Sequence, residues 1–270
     1  MKGKTIFQIS ILVLFISSAL LHSCSDKDNY QLVWSDEFEY SGLPDSTKWS
    51  YDIEGNAWGW GNNELQTYTS SDINNAEVLN GKLFITAVKE DSISKPYTSA
   101  RLISKGKGDW LYGKIEVKAK LPGGKGIWPA IWMLPTDWEY GGWPESGEID
   151  IMEHVGYEPD SVYFTVHTES YNHGIGTQKS QAVYEPDAEH VFHVYGIEWT
   201  PKKIDFYLDD NKVFTFKNEG KTYAEWPYDK RFHLLLNVAV GGGWGGKHGV
   251  DDSIFPCQMV VDYVRVYQLK

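Results

Sequence analysis

The sequence predicts an all-β fold, a sandwich or jelly roll of antiparallel strands. Three observations point there. Between about residues 31 and 270, short segments that alternate apolar and polar residues recur between turn signals. No amphipathic stretch of helical period reaches three turns, and the connections are polar or rich in Gly. At 270 residues the chain suits one large all-β domain, with no internal repeat and no linker after Tyr30.

The elements follow in order. The run 82–88 reads as a strand, and 112–121 is the clearest case. There Ile115, Val117, Ala119 and Leu121 form one apolar face, while Lys114, Glu116, Lys118 and Lys120 form the other, so one face is core and the other solvent. Strand 127–134 places Trp128 and Trp132 at even spacing, projecting from one face. Strand 162–167 sets His167 on the parity of Tyr163 and Thr165, opposite Val162, Phe164 and Val166. Strands 193–199, 231–240 and 259–267 follow, and 206–208 with 212–216 read as a hairpin around Asp209, Asp210 and Asn211.

One segment breaks the pattern. ESGEIDIMEHVG (145–156) sets Glu148, Asp150 and Glu153 into what otherwise reads as a buried strand. Alternation puts Glu148 and Asp150 on one face, but strict alternation turns Glu153 to the other. A β-bulge at Ile151 and Met152 returns Glu153 to the face of Glu148, and bulges are frequent beside active sites. Four effective strand steps then separate the two Glu Cα atoms by roughly 13 Å, within reach of one substrate across a concave sheet. A retaining glycosidase uses two such carboxyl groups about 5–5.5 Å apart. The competing reading is a calcium or salt-bridge cluster, but no Lys or Arg is interleaved to pair the acids, and buried unpaired carboxylates are expensive.

Composition narrows the partner. A formal net charge of −12 argues against nucleic acid, which needs a basic face. Twelve Trp and seventeen Tyr exceed what a core of this size needs and suit the apolar faces of sugar rings. Trp143 lies in the loop leading into Glu148, and Trp244 in a Gly-rich rim at 241–247. That rim superficially matches a phosphate-binding loop, but His248 stands where Ser or Thr is required. Asn237, a polar residue inside an apolar run, wants a buried partner or a ligand. His190 and His193 have a metal-like spacing, but residues three apart on a strand face opposite ways.

Lys2 and Lys4 precede an apolar run at 6–21 that ends in Leu21-His22-Ser23-Cys24. Residues 1–23 resemble a bacterial lipoprotein signal, with Cys24 as the lipidated first residue and 24–30 as a short polar tether. The predicted localisation is export with a lipid anchor, at the cell surface or in the periplasm, and the anchor is the only membrane contact expected. A lipidated Cys24 leaves Cys257 without a disulfide partner.

With these residues in view, the chain resembles bacterial laminarinases of glycoside hydrolase family 16. The likeness runs through WSDEF (34–38), GNNELQTYT (61–69), ARLISKGK (100–107), WPAIWMLP (128–135), the acidic strand, His167-Thr168 and VDYVRVYQ (261–268). It implies a β-jelly roll of two packed antiparallel sheets with an open concave cleft, spanning 31–270. It implies Glu148 as nucleophile, Asp150 as assisting carboxylate and Glu153 as acid/base, with sugar contacts at Asn63, Arg101, Trp128, Trp132, His167, Asn237 and Trp244. The expected activity is endo-acting, retaining hydrolysis of β-1,3-glucan by a monomer, with no cofactor in the chemistry. A structural calcium is implied on the convex side, at the backbone oxygens of Glu37 and Gly81 and at Asp262. Mixed-linkage glucanase and a non-catalytic glucan-binding protein stay open beside it.

Overall fold

The structure, a computed structural model, describes residues 29–56, 59–92, 94 and 96–270. The expected signal 1–23, Cys24 and all but the last two residues of the tether lie outside the described residues. The first half of the chain supplies β1 (Tyr30–Asp36), β2 (Ser50–Tyr51), β3 (Gln66–Tyr68), β4 (Ala76–Leu79), β5 (Lys82–Lys89), β6 (Tyr97–Ser99), β7 (Arg101–Ile103), β8 (Asp109–Trp110) and β9 (Gly113–Lys120). The second half supplies β10 (Ile127–Pro135), β11 (Glu148–Glu153), β12 (Ser161–His167), β13 (Lys179–Tyr184), β14 (His193–Trp199), β15 (Lys203–Leu208), β16 (Asn211–Lys217), β17 (Phe232–Val240) and β18 (Cys257–Leu269).

Two sheets result. One has the order β16-β15-β14-β9-β18-β5-β6-β3, with β1 on β18 and β4 on β5; the other runs β13-β12-β11-β10-β17-β7-β2, with β8 on β17. Every pairing is antiparallel except β3 with β6. The inner faces make one core. Ile115, Val117 and Ala119 of β9 are fully buried, as are Ile149, Ile151 and Met152 of β11, and the Phe164 and Phe206 rings meet between the sheets at 6.2 Å.

Each strand read from alternation is present. The 112–121 reading becomes β9, whose buried and half-buried residues alternate without a break. The hairpin turn tightens to Asp209 and Asp210, with Asp209 left-handed at φ 54°. The strands that alternation did not reveal are mostly short, or, like β13, mostly exposed at a sheet edge; β1 is longer, but of its seven residues only Asp36 is buried. β17 is buried along its whole length, because the core covers one face and cleft side chains cover the other.

Candidate active site

The cleft lies on the face of the eight-stranded sheet turned away from the core, and β11 is its centre. Ala130 pairs with Glu153, and Trp132 with Asp150; against β12, Asp150 pairs with Thr165 and Glu153 with Tyr163. Three residue steps on β11 thus match two on each neighbour. This is the bulge at Ile151 and Met152, and it sends both of those side chains into the core. Glu148, Asp150 and Glu153 are left together on the open face. Glu148 is opposite His167, and the buried Tyr228 hydroxyl lies 3.0 Å and 2.7 Å from the carbonyls of that pair, fixing the strand start.

The three acids crowd one another. An oxygen of Glu148, an oxygen of Asp150 and a ring nitrogen of His167 lie within 4.8 Å of one another, and His167 Nε2 is 3.4 Å from Asp150 Oδ2. Burial, then the charge of Asp150, pushes Glu148 up to about 8. Burial pushes Glu153 up to about 7, against the pull of His167 and of the Trp128 indole, which donates to Glu153 Oε1 at 3.2 Å. Burial and the Glu153 charge raise Asp150 as well. Charges this close in a low-dielectric site cannot all be present, so the cluster retains protons near neutral pH.

Two lobes flank the acids. The first, about 490 Å³, is lined by Trp132, Trp138 and Trp143 with Asp52 and Arg101. Arg101 is held 3.1 Å from Asp52 and sandwiched by the Trp60 and Trp132 rings, at 5.0 and 4.7 Å. That arrangement makes a rigid flat wall. The second lobe, about 550 Å³, is lined by Trp128, Trp244, Tyr163 and Glu153. Trp244 stands edge-on to Trp128 at 5.4 Å and to Tyr163 at 4.9 Å. Only the second lobe includes Glu153, whereas Glu148 borders both.

Arg101, Trp128, Trp132, Asn237, His167 and Trp244 all border the cleft, although Asn237 also accepts from Trp132 Nε1 at 2.7 Å and donates to the Tyr68 hydroxyl at 3.0 Å. Asn63 does not. It is exposed, and its neighbour Asn62 borders both lobes instead. The turn at 59–63 runs through left-handed residues at Trp60 and Asn63, so strand parity does not apply there. Asn62 is held by its Nδ2 on Glu64 Oε1 at 3.3 Å and by its carbonyl accepting from Gly243 at 2.7 Å. Trp60, Asn62, Glu64 and His173 escaped sequence reasoning because they sit on irregular backbone or short strand ends, where no period betrays a face. The GNNEL motif held the available signal.

On the far sheet, Glu37 is paired through its side chain with Arg265, and Asp262 faces Lys82 and Lys118 at 3.3 and 2.8 Å. These residues take no part in the cleft.

Known proteins share this fold. The model of glycosyl hydrolases family 16 matches residues 58–265. A β-glucanase of Rhodothermus marinus is 52% identical over 276 residues, covering 99% of this chain and 95% of the relative. The solved laminarinase from Rhodothermus marinus superposes with a TM-score of 0.86 at 52% identity, over 89% of this chain and 98% of that one. SCLam, a non-specific endo-β-1,3(4)-glucanase, does so with a TM-score of 0.84 at 45% identity, over 90% and 92%. A β-sandwich with two paired carboxylates on a bulged strand, matched along nearly its full length, places this chain in glycosyl hydrolases family 16.

Proposed function

We propose that this chain is an endo-acting, retaining hydrolase of β-1,3-glucosidic bonds in laminarin-type glucans. The observation that carries the reading is the bulged β11, which aims Glu148 and Glu153 at one cleft, with Glu148 bordering both lobes and Glu153 the second one alone of the two. The leaving sugar must lie beside the proton donor. The second lobe therefore takes the leaving chain, and the first takes the glucosyl unit that is attacked. Space on both sides of the acids suits cutting within a chain.

In the first step Glu148 bonds to the anomeric carbon as the glycosidic C–O bond breaks, and Glu153 gives its proton to the departing oxygen. In the second, Glu153 takes a proton from water, and that water oxygen displaces Glu148 with net retention. Asp150 holds a proton between them and limits the charge on Glu148. Carboxylates suffice, and the family needs no cofactor for this chemistry.

The test is a panel of laminarin, curdlan, mixed-linkage glucan, agarose and carrageenan, with products sized over time and the first anomer read by NMR. Mid-length β-anomeric products from laminarin are expected. Failure to release reducing ends from laminarin and curdlan would overturn the reading. Mixed-linkage cleavage is a second reading, favoured by the likeness to SCLam; a non-catalytic glucan binder would release nothing from any substrate.

Export and anchoring at Cys24 belong to the same proposal, supported by the charged start, apolar run and Cys24 of the leader. Cys24→Ala should move the protein from the membrane fraction to the soluble one. A monomer is expected by light scattering. The implied calcium does not fit its donors, because each oxygen of Asp262 faces an ammonium group, from Lys82 and from Lys118, and two cations oppose a third. Ammonium–carboxylate bridges would then join the strands instead, and the melting temperature should stay unchanged when EDTA or excess calcium is added.

A further inference from the structure

Asn62, Glu148 and His173 are the three residues that border both lobes, so they ring the point where the bond is cut. Glu148 has its role in the chemistry, and His173 has none assigned. It opens a short 3-10 turn, His173–Ile175, between β12 and β13. The turn is built to hold it. Buried Asn172 donates from Nδ2 to the carbonyls of Thr168 and Glu169, at 3.1 and 3.0 Å, and its carbonyl accepts from Thr177 at 3.0 Å. Left-handed Gly176 closes the turn on the His173 carbonyl at 3.1 Å.

The ring itself is exposed. It packs against Trp143 at 4.9 Å and edge-on to His167 at 5.2 Å, yet neither ring nitrogen has a hydrogen-bond partner among the described residues. An imidazole locked by its backbone and steadied by two rings, with both nitrogens unused over an open cleft, is prepared for a polar ligand. Partial desolvation at the cleft rim, then neighbouring His167, lowers its pKa from the ordinary histidine value, which favours the neutral ring with one donor and one acceptor. That pairing matches sugar hydroxyls.

We propose that His173 is a substrate-binding residue at the cleavage point, hydrogen-bonding hydroxyls of the glucosyl units on either side of the bond to be cut. The proposal rests on the glucan reading above. Its test is calorimetric titration of laminarihexaose into Glu148→Gln protein, alone and combined with His173→Ala, His173→Phe or His173→Gln. Ala and Phe should each weaken binding about tenfold, the loss expected when neutral hydrogen bonds go. Gln, which keeps a donor and an acceptor, should recover most of it. Melting temperatures should stay close to the parent's, because the ring is exposed. Undiminished affinity in His173→Ala, or full affinity in His173→Phe, would overturn the role and leave the glucan reading standing. A Glu148→Gln parent that binds no laminarihexaose would remove both.

Discussion

In the proposed mechanism Glu148 and Glu153 bring the same side chain to opposite duties: one must be ionised to attack, the other must hold a proton to give. Both are raised by burial, to about 8 and about 7, an order that by itself ionises Glu153 first, so in the proposed mechanism the reacting state is the form of the coupled cluster that carries its negative charge on Glu148 and its protons on Asp150 and Glu153. Glu148→Gln and Glu153→Gln should each lower kcat by about 10³-fold or more, with circular dichroism unchanged. Full activity in either variant would end the assignment. The rate should fall on the acid side as Glu148 gains its proton, and on the alkaline side as Glu153 loses one. Burial sets most of the shift at Glu148, and Asp150 adds its charge. These three acids were legible in the sequence because carboxylates inside an apolar strand demand an explanation. Asn62 and His173 were not, since a single polar residue in a turn looks like any other.

At the scale of the element, the bulge decides which residues meet. Its trace in the sequence is a parity conflict, in which Glu148 and Asp150 agree and Glu153 disagrees by one residue. The structure resolves that conflict in the pairing of β11 with both β10 and β12. A pair of deletions separates facing from mere integrity. Removing Ile151 leaves Glu, Ile, Asp, Met, Glu in strict alternation, so both glutamates keep the cleft face and the register with β10 closes without a bulge. Removing Ile149 puts Glu148 and Asp150 on opposite faces. Each deletion takes one fully buried Ile from the core, a loss of about 2–5 kcal/mol. The Ile151 deletion should retain measurable hydrolysis, while the Ile149 deletion should fall by about 10³-fold or more, as for loss of the nucleophile. Equal activities in the two proteins, matched for melting temperature, would show that strand parity does not control the site. The turn at 59–63 marks the limit of this kind of reading, because left-handed Trp60 and Asn63 rotate neighbouring side chains away from any strand period.

Over the whole molecule, the aromatic residues serve the packing and the cleft alike. Of the eleven described Trp, Trp60, Trp128, Trp132, Trp138, Trp143 and Trp244 line the cleft, and the other five pack with the core. The aromatic excess is thus spent about equally on fold and on site, and no count of residues alone divides it. Acidic groups divide in a similar way, with consequences for stability. Glu37 is held below its ordinary value by hydrogen bonds from Arg265, and Asp205 by Lys203 and Thr215 against the opposing effect of burial. Depressed carboxylates stabilise the fold above their unfolded pKa, near 4, and that contribution disappears as pH falls through the folded values. Glu148 and Glu153 act in the reverse sense. Their folded values are raised, so the stability associated with their protonated forms is complete below about pH 4 and is lost as pH rises through about 7 and 8. The melting temperature should therefore decline on both sides of a mildly acidic maximum. Glu148→Gln, which cannot ionise, should melt a few degrees above the parent at pH 8, and the gap should close toward pH 4. A gap of the same size at both pH values would show that the cost of burying the Glu148 charge is not what the substitution relieves.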